Sequence, residues 1–423
     1  MRQLLALASI LASVATLFAT PAATAQPTPF TGRPQAFERA PAAKVVGVYV
    51  PNWEPVALVD AIKPGSISHL LYAFLRICGP GQLAKDAAPC AGRPEFALTV
   101  GPKEAEFDAA FRRLKQREPG VRVVASVGGW GGSDPFFHLA AEAPRRAAFV
   151  GAVVDFLRGH AGFDGIDIDW EHPGNNGAAN GVQLGGPADG QGYADLMSEL
   201  RAAVDALGRE TGRRYLVTTA VNPTRPIVDR INFRQAGAAL DLVFMMTYDF
   251  YGGWSDRAGN HATLRSSAPE ADDSLERAVR NLTAAGVPAG KLVAGVAMYG
   301  RGFAGVKAPT TGAAKTGVWP PEGPGSDAGS IVYKRLAAEL LGPRGQGLRG
   351  FKPVFDPVTQ AWNLWRAADG LFVGYDDPRA VEAKGRYARA AGLAGVFAWE
   401  LSQDNGDILN AMNRGVGNRA RRR

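Results

Sequence analysis

Eight apolar runs of strand length recur along the chain, and their number and spacing constrain the fold more than any other feature. They span Val45–Val50, Ile67–Phe74, Val121–Val127, Phe163–Trp170, Tyr215–Val221, Leu240–Tyr248, Lys291–Met298 and Gly395–Trp399. Between them lie stretches with helical patterning, such as residues 105–117, 144–159, 193–207, 274–285 and 378–391. Near-continuous apolar strands alternating with helices fit a parallel sheet covered by helices. Eight repeats of that unit predict an α/β chain folded as a (β/α)8 TIM barrel. A doubly wound sheet is the rival, but Val50-Pro51-Asn52-Trp53 follows the first run, where that fold would carry a glycine-rich phosphate loop.

The interval between the seventh and eighth runs is about twice as long as the others. It contains glycine and proline clusters and short strand-like pieces at residues 351–355 and 362–366. A structureless loop of that length is improbable in a compact domain, so residues 303–374 are expected to form a small inserted α+β subdomain. Such an insertion would wall one side of the barrel's C-terminal face. The barrel itself is expected to cover residues 44–412.

Residues 1–25 read as a secretory signal peptide, with Arg2, an apolar stretch from Leu4 to Phe18 and Ala23-Thr24-Ala25 as a small-residue cleavage site. Residues 26–43, with Pro27, Pro29, Pro34 and Pro41, read as a flexible leader, and residues 413–423 as a frayed basic tail. The expected location is therefore secreted, extracellular or periplasmic. The formal charge of +7 includes Arg2 and the tail arginines 414, 419, 421, 422 and 423, so the body carries only about +1. No nucleic-acid partner and no stable membrane association are expected, and nothing calls for more than a monomer. Cys78 and Cys90 lie in a loop-like stretch of a chain bound for an oxidising compartment, and are expected to pair. A bond closing so short a loop adds about 2 to 3 kcal/mol in the chain-entropy picture. The five histidines are scattered without ligand spacing, so no metal and no cofactor are expected.

The fourth run carries the chemistry. In Asp164-Gly165-Ile166-Asp167-Ile168-Asp169-Trp170-Glu171, strand alternation puts Asp167, Asp169 and Glu171 on one face and the apolar residues on the other. Neighbouring carboxylates on that face have Cα atoms about 6.6 Å apart. Shielded from water, acids that close resist full ionisation, so at least one should hold a proton at neutral pH. For an arbitrary D-x-D-x-E a solvated edge strand is the more common explanation, since structural charge networks also perturb pKa values. The other suspicious residues, however, also fall where barrel strands end: Trp53, Gly128-Gly129-Trp130, Tyr248-Asp249, Tyr299, Arg301 and Trp399. Trp53, Trp130, Trp254 and Trp399 can also be read as core, since tryptophan is usually largely buried.

On these residues the chain resembles glycoside hydrolase family 18, the chitinases and their relatives. The matching motifs are Asp164, Asp167, Asp169 and Glu171 as D-x-x-D-x-D-x-E, Ser126-Val127-Gly128-Gly129 as S-x-G-G, Met246-Thr247-Tyr248-Asp249 as M-x-Y-D, Tyr299-Gly300-Arg301 as Y-G-R, and Trp399 in the last strand. The resemblance implies a retaining, substrate-assisted hydrolase in which the substrate's own N-acetyl group is the nucleophile. It implies Glu171 as general acid and base, Asp169 orienting the acetamide, Asp167 sharing charge with Asp169, and Tyr248 completing the catalytic set. Substrate contacts are implied for Asp249, Trp399, Met246, Trp130, Arg301, Tyr299, Tyr49 and Phe74, with Asp164, Ser126, Gly128 and Gly129 as supports. Phe303 stands where relatives commonly carry tryptophan, a departure that touches outer sugar sites only. The implied substrate is chitin or another N-acetylglucosamine glycan. Peptidoglycan, the chitobiose core of glycoproteins and a catalytically silent sugar-binding lectin remain open.

Overall fold

The computed structural model describes residues 30–321 and 328–421. The expected signal peptide lies outside the described residues. All eight apolar runs become strands of one closed parallel barrel: Val45–Pro51, His69–Leu75, Arg122–Gly128, Gly165–Asp169, Leu216–Val221, Leu242–Met245, Leu292–Ala297 and Gly395–Trp399. They pair in chain order, and the eighth closes on the first in the register Gly395↔Val45. Helices Pro102–Arg117, Ala143–Gly159, Asp189–Thr211, Phe233–Ala239, Leu275–Ala284 and Pro378–Ala390 run between successive strands on the outside.

Strand alternation divides the core in two. Val46, Val48 and Val50 of the first strand pack outward with helix residues such as Phe107, Phe149 and Leu200. Val45 and Tyr49 point inward with Leu71, Val124, Phe244, Val293 and Phe397. Burying each such side chain contributes about 1.5 to 3 kcal/mol. In the fourth strand Ile166 and Ile168 join the outer layer, leaving Asp167 and Asp169 on the inner side.

The sixth strand stops at Met245, short of the predicted Tyr248. Its continuation is replaced by a side chain: Thr247 Oγ1 donates to Gly295 O and accepts from Gly295 N, both at 2.9 Å. A Cβ at Gly295 would lie 2.5 Å from Met245 O and 2.8 Å from Thr247 N, so this junction requires glycine. Tyr248 and Asp249 are thereby lifted off the strand toward the barrel mouth.

One residue after the seventh strand the chain enters a second, antiparallel sheet. Tyr299–Ala304 pairs with Gly317–Val318, Ser330–Val332 and Leu371–Tyr375, and Ala361–Arg366 and Lys352–Asp356 extend it. A helical turn, Tyr333–Leu336, lies within it. The sheet begins and ends slightly outside residues 303–374, because Tyr299–Ala304 and Leu371–Tyr375 pair with each other.

A buried ion pair fastens this segment to the barrel. Lys384 Nζ lies 2.7 Å from Asp376 with side-chain exposures of 1% and 0%, and Asp376 Oδ2 accepts from Ala297 N at 2.9 Å. Removing one partner strands the other charge away from water. Lys384→Met is expected to cost about 3 to 5 kcal/mol of stability in denaturant unfolding; a loss under about 1 kcal/mol would contradict that account.

The ends of the described chain are tied together, contrary to the reading of a flexible leader and a frayed tail. Asp407 Oδ1 accepts from Thr31 N at 2.6 Å and Gly32 N at 2.8 Å, and Gln35 N donates to Asn410 Oδ1 at 3.0 Å. Phe37–Glu38 pairs with Arg419–Ala420, and Phe37 is fully buried. The helix Asp407–Gly415 crosses the boundary expected at residue 412, and its N-terminal acid receives the N–H groups of the leader. Proline-rich composition predicted mobility, but side-chain acceptors from the far end of the chain supply the hydrogen bonds that such a segment cannot make for itself. Cys78 and Cys90 are bonded, with Cα atoms 5.3 Å apart.

Candidate active site

Asp167 lies at the centre of the barrel and is wholly buried. Its Oδ2 accepts from Tyr49 OH at 3.0 Å and Ser126 Oγ at 2.7 Å, and its Oδ1 from Thr218 Oγ1 at 2.6 Å. Burial pushes its carboxyl up, and the three hydroxyl donors only partly oppose that. Asp169, two residues on, is 4% exposed, and no donor among the described residues reaches its Oδ1. Burial, then the charges of Glu171 and Asp167, push its carboxyl well above the usual carboxylate range, with Arg76 opposing.

Glu171 stands beyond the strand, which ends at Asp169. Its side chain is 16% exposed, so it opens to the barrel mouth. Burial first, and the negative charge of Asp249 second, push its carboxyl up to about 8, against the pull of the Trp130 main-chain N–H. It is therefore largely protonated at neutral pH. His172 Nε2 is 3.7 Å from Glu171 Oε2. Burial and the nearby Arg230 push this imidazole down to about 4, so it is neutral at pH 7 and carries no ion pair.

Asp249 has the opposite character. Its backbone is left-handed, with φ of 60°, and its two oxygens are gripped by Arg301 Nε at 2.8 Å and Nη2 at 2.9 Å. Burial pushes its carboxyl up, but the contact with His261 and the Arg301 guanidinium outweigh that and hold it well below the usual range. His261 is fully buried: its Nδ1 lies 3.3 Å from Asp249 N and its Nε2 lies 3.2 Å from Tyr299 O. Glu171 at the mouth thus keeps its proton while Asp249 beside it has lost its own, an arrangement suited to donating a proton beside a fixed negative charge.

Aromatic rings line the same region. Trp399 stacks on Phe74 with centroids 5.6 Å apart and a 21° interplanar angle, and it lies 5.3 Å from Tyr49. Trp53 approaches Trp399 at 6.4 Å. Tyr248 packs between Phe397 and Tyr299, and Met246 joins Tyr248 and Trp399 on the barrel's inner cluster. Trp53, Trp130 and Trp254 are 55%, 58% and 63% exposed, so the core reading fails for all three. Arg301 lies over the Trp254 ring at 5.0 Å, joining that tryptophan to the Asp249 side of the site.

Gly128 and Gly129 turn the chain out of the third strand. A Cβ on Gly128 would collide with Asp169 O, and one on Gly129 would lie 2.6 Å from the Phe74 ring. Asp164 is set apart from the cluster. It precedes the fourth strand and accepts from Val123 N at 2.9 Å and Lys115 Nζ at 2.6 Å, tying strand starts together. Sequence reasoning missed Thr218, Ser133, His261 and Arg76. No spacing pattern marks them: Thr218, Ser133 and Arg76 act on Asp167, Glu171 and Asp169, all distant in sequence, and His261 acts on Asp249 from within the same loop region. Among the described residues no group of three or more His, Cys, Asp or Glu side chains is arranged to hold a metal ion.

Residues 45–404 match the glycosyl hydrolases family 18. Chitinase A of Pseudoalteromonas piscicida is 34% identical over 88% of this chain and 51% of its own length. A probable endochitinase of Orgyia pseudotsugata multicapsid polyhedrosis virus is 33% identical over 89% of this chain and 73% of its own length. The chain thus spans about half of the first relative and about three quarters of the second. Among solved structures, a family 18 chitinase mutant from Cycas revoluta in complex with (GlcNAc)4 superposes with a TM-score of 0.70 at 26% identity, over 88% of this chain and 100% of that one.

Proposed function

The chain belongs to family 18 of the glycosyl hydrolases, and from that premise we propose that it is a chitinase, cleaving β-1,4 linkages between N-acetylglucosamine units with retention. In this reading Glu171 gives its proton to the bridging oxygen as the glycosidic bond breaks. The carbonyl oxygen of the substrate's acetamide attacks the anomeric carbon and forms an oxazolinium ion. A water then adds at that carbon, returning a proton to Glu171 and reopening the acetamide. Asp169, whose buried Oδ1 no protein donor satisfies, turns toward the mouth to receive the acetamide N–H and, with the shared proton held by Asp167, stabilises the positive charge as it develops. Asp167, held by Tyr49, Ser126 and Thr218, backs Asp169 from inside the barrel.

The observation that carries this reading is the pairing of a protonated Glu171 with the donor-free Asp169 oxygen under an aromatic floor. The alternative, direct attack by an enzyme carboxylate, has a poor candidate in Asp249, because both of its oxygens are engaged by Arg301. Trp399, Phe74, Tyr248, Met246, Tyr299 and Trp130 are proposed to contact sugar, with aromatic faces meeting the apolar faces of the rings. The exposed Trp53 and Trp254 extend that lining and favour an oligomeric substrate. Among the described residues no helix is long and apolar enough to cross a membrane. The leader pattern of residues 1–25 supports a secreted protein.

A panel of chitin oligomers, colloidal chitin, peptidoglycan and a glycoprotein tests the substrate. Release from chitin oligomers supports the reading. Cleavage confined to peptidoglycan or the glycoprotein core replaces chitin by that glycan, and binding without release from any of them makes the protein a lectin.

A further inference from the structure

We propose that Ser133 is a positioning residue for Glu171, holding the peptide from which the acid's side chain projects; the inference rests on the reading of Glu171 as proton donor. The fourth strand makes its last pairings at Asp169, with Gly128 and Ala220 on its two sides. Glu171 therefore has no ladder partner, yet its main-chain N–H and C=O lie at a largely buried position and need partners. One hydroxyl supplies both. Ser133 Oγ accepts from Glu171 N at 3.1 Å and donates to Glu171 O at 3.3 Å.

The local chemistry of Ser133 points the same way. It precedes the short helix Asp134–Leu139, where a serine commonly accepts an N–H from the first helical turn. No such capping bond is made here. The hydroxyl is turned instead to a residue 38 positions away in sequence. Ser133 is 1% exposed, and its neighbour Asp134 is fixed from the other side by Asn176 Nδ2 at 3.0 Å and Asn180 Nδ2 at 2.9 Å. The serine is thus a fixed post, anchored to the rim loop, and does not follow Glu171 if that peptide turns. The carboxyl itself meets the Trp130 main-chain N–H, while His172 at 3.7 Å is too far for a hydrogen bond, so no second side chain fixes it from that direction. Its direction is set chiefly by the peptide that carries it.

The test compares wild type, Ser133→Ala, Ser133→Thr and Ser133→Cys on a soluble chitin oligomer across the pH range, with melting temperature and oligomer binding measured on each protein. Misplacing a reacting group by about 1 Å costs on the order of 10²-fold. Ser133→Ala is expected to lose kcat by about 10- to 100-fold with KM nearly unchanged, as for an interaction felt mainly in the transition state. Its alkaline limb should move to lower pH, because a loosened carboxyl gains access to water. Ser133→Thr keeps the hydroxyl and should recover most of the lost rate. An unchanged kcat in Ser133→Ala overturns the inference, and so does a loss that leaves the alkaline limb in place or that Thr does not relieve. If Ser133→Ala fails to fold, Ser133→Cys decides, because its weaker donor should give an intermediate rate with a shifted limb; an unshifted limb overturns the inference. A wild type that releases nothing from any chitin oligomer defeats the functional reading and this inference with it. An active wild type beside an equally active Ser133→Ala defeats this inference alone.

Discussion

Glu171→Gln is expected to lower turnover of a chitin oligomer by roughly 10³-fold or more while oligomer binding stays within a few-fold of wild type. The amide keeps the size and most hydrogen bonds of the acid but has no proton to give to the bridging oxygen. The same substitution should make the fold more stable, and increasingly so as pH rises. With its carboxyl pushed up to about 8, Glu171 stays protonated in the folded chain at pH values where the unfolded chain has released the proton. The folded state thus binds more protons between about 4.5 and 8, and linkage makes wild-type stability fall as pH rises through that window. Glutamine has no such term. Its advantage should be absent below the ordinary carboxylate range and reach a few kcal/mol above pH 8, at about 1.4 kcal/mol for each pKa unit. Single-turnover and binding assays, with melting curves of both proteins from pH 4 to 9, check the two halves. A variant that turns over within tenfold of wild type would remove Glu171 as the acid.

The second large effect concerns the substrate. An oligomer whose scissile sugar lacks the N-acetyl group is expected to be cleaved at least about 10³-fold more slowly than its acetylated counterpart. Intramolecular attack by a well-placed group carries an effective molarity on the order of 10⁵ M or more, and deacetylation removes the attacking oxygen. Asp249 cannot readily take over, because Arg301 holds both of its oxygens and its backbone is fixed in a left-handed conformation. Removing the acetamide also leaves Asp169 Oδ1 buried without the donor proposed for it, a further cost of about 1 to 3 kcal/mol. Initial rates on defined oligomers, acetylated or not at the sugar that donates its anomeric carbon, decide the matter. Equal rates would mean that a protein carboxylate, or water directly, does the attacking.

Much of the fold was legible because barrel strands advertise themselves. Apolar runs buried on both faces need no partner information to be recognised, and each of the eight runs became a barrel strand. Strand ends were less legible. Tyr248 looked like a strand residue because it is aromatic and follows an apolar run, but the Thr247 hydroxyl takes over the pairing to Gly295 and ends the strand at Met245. The leader at residues 30–43 misled in the opposite direction. Its prolines exclude regular structure of its own, and Asp407, Asn410, Asn418 and the Arg419–Ala420 strand, from the other end of the chain, hold it in place together with the Pro64 carbonyl. Trp53, Trp130 and Trp254 were ambiguous for a related reason, since nothing in composition says whether a ring after a strand faces the core or the mouth.

What the amino-acid order alone determined is the set of short-range facts: eight strands, the alternation that turns Asp167 and Asp169 away from Ile166 and Ile168, and the grouping of acids and aromatic residues at strand ends. Those follow from dihedral periodicity and the transfer of apolar side chains from water, which act over a few residues. Only the closed barrel decided which groups meet across it: Tyr49 with Asp167, Arg301 and His261 with Asp249, Ser133 with Glu171. Proton affinities belong to that second class. An acid's readiness to hold or release a proton depends on the water excluded and the charges assembled around it, and both come from segments scores of residues apart.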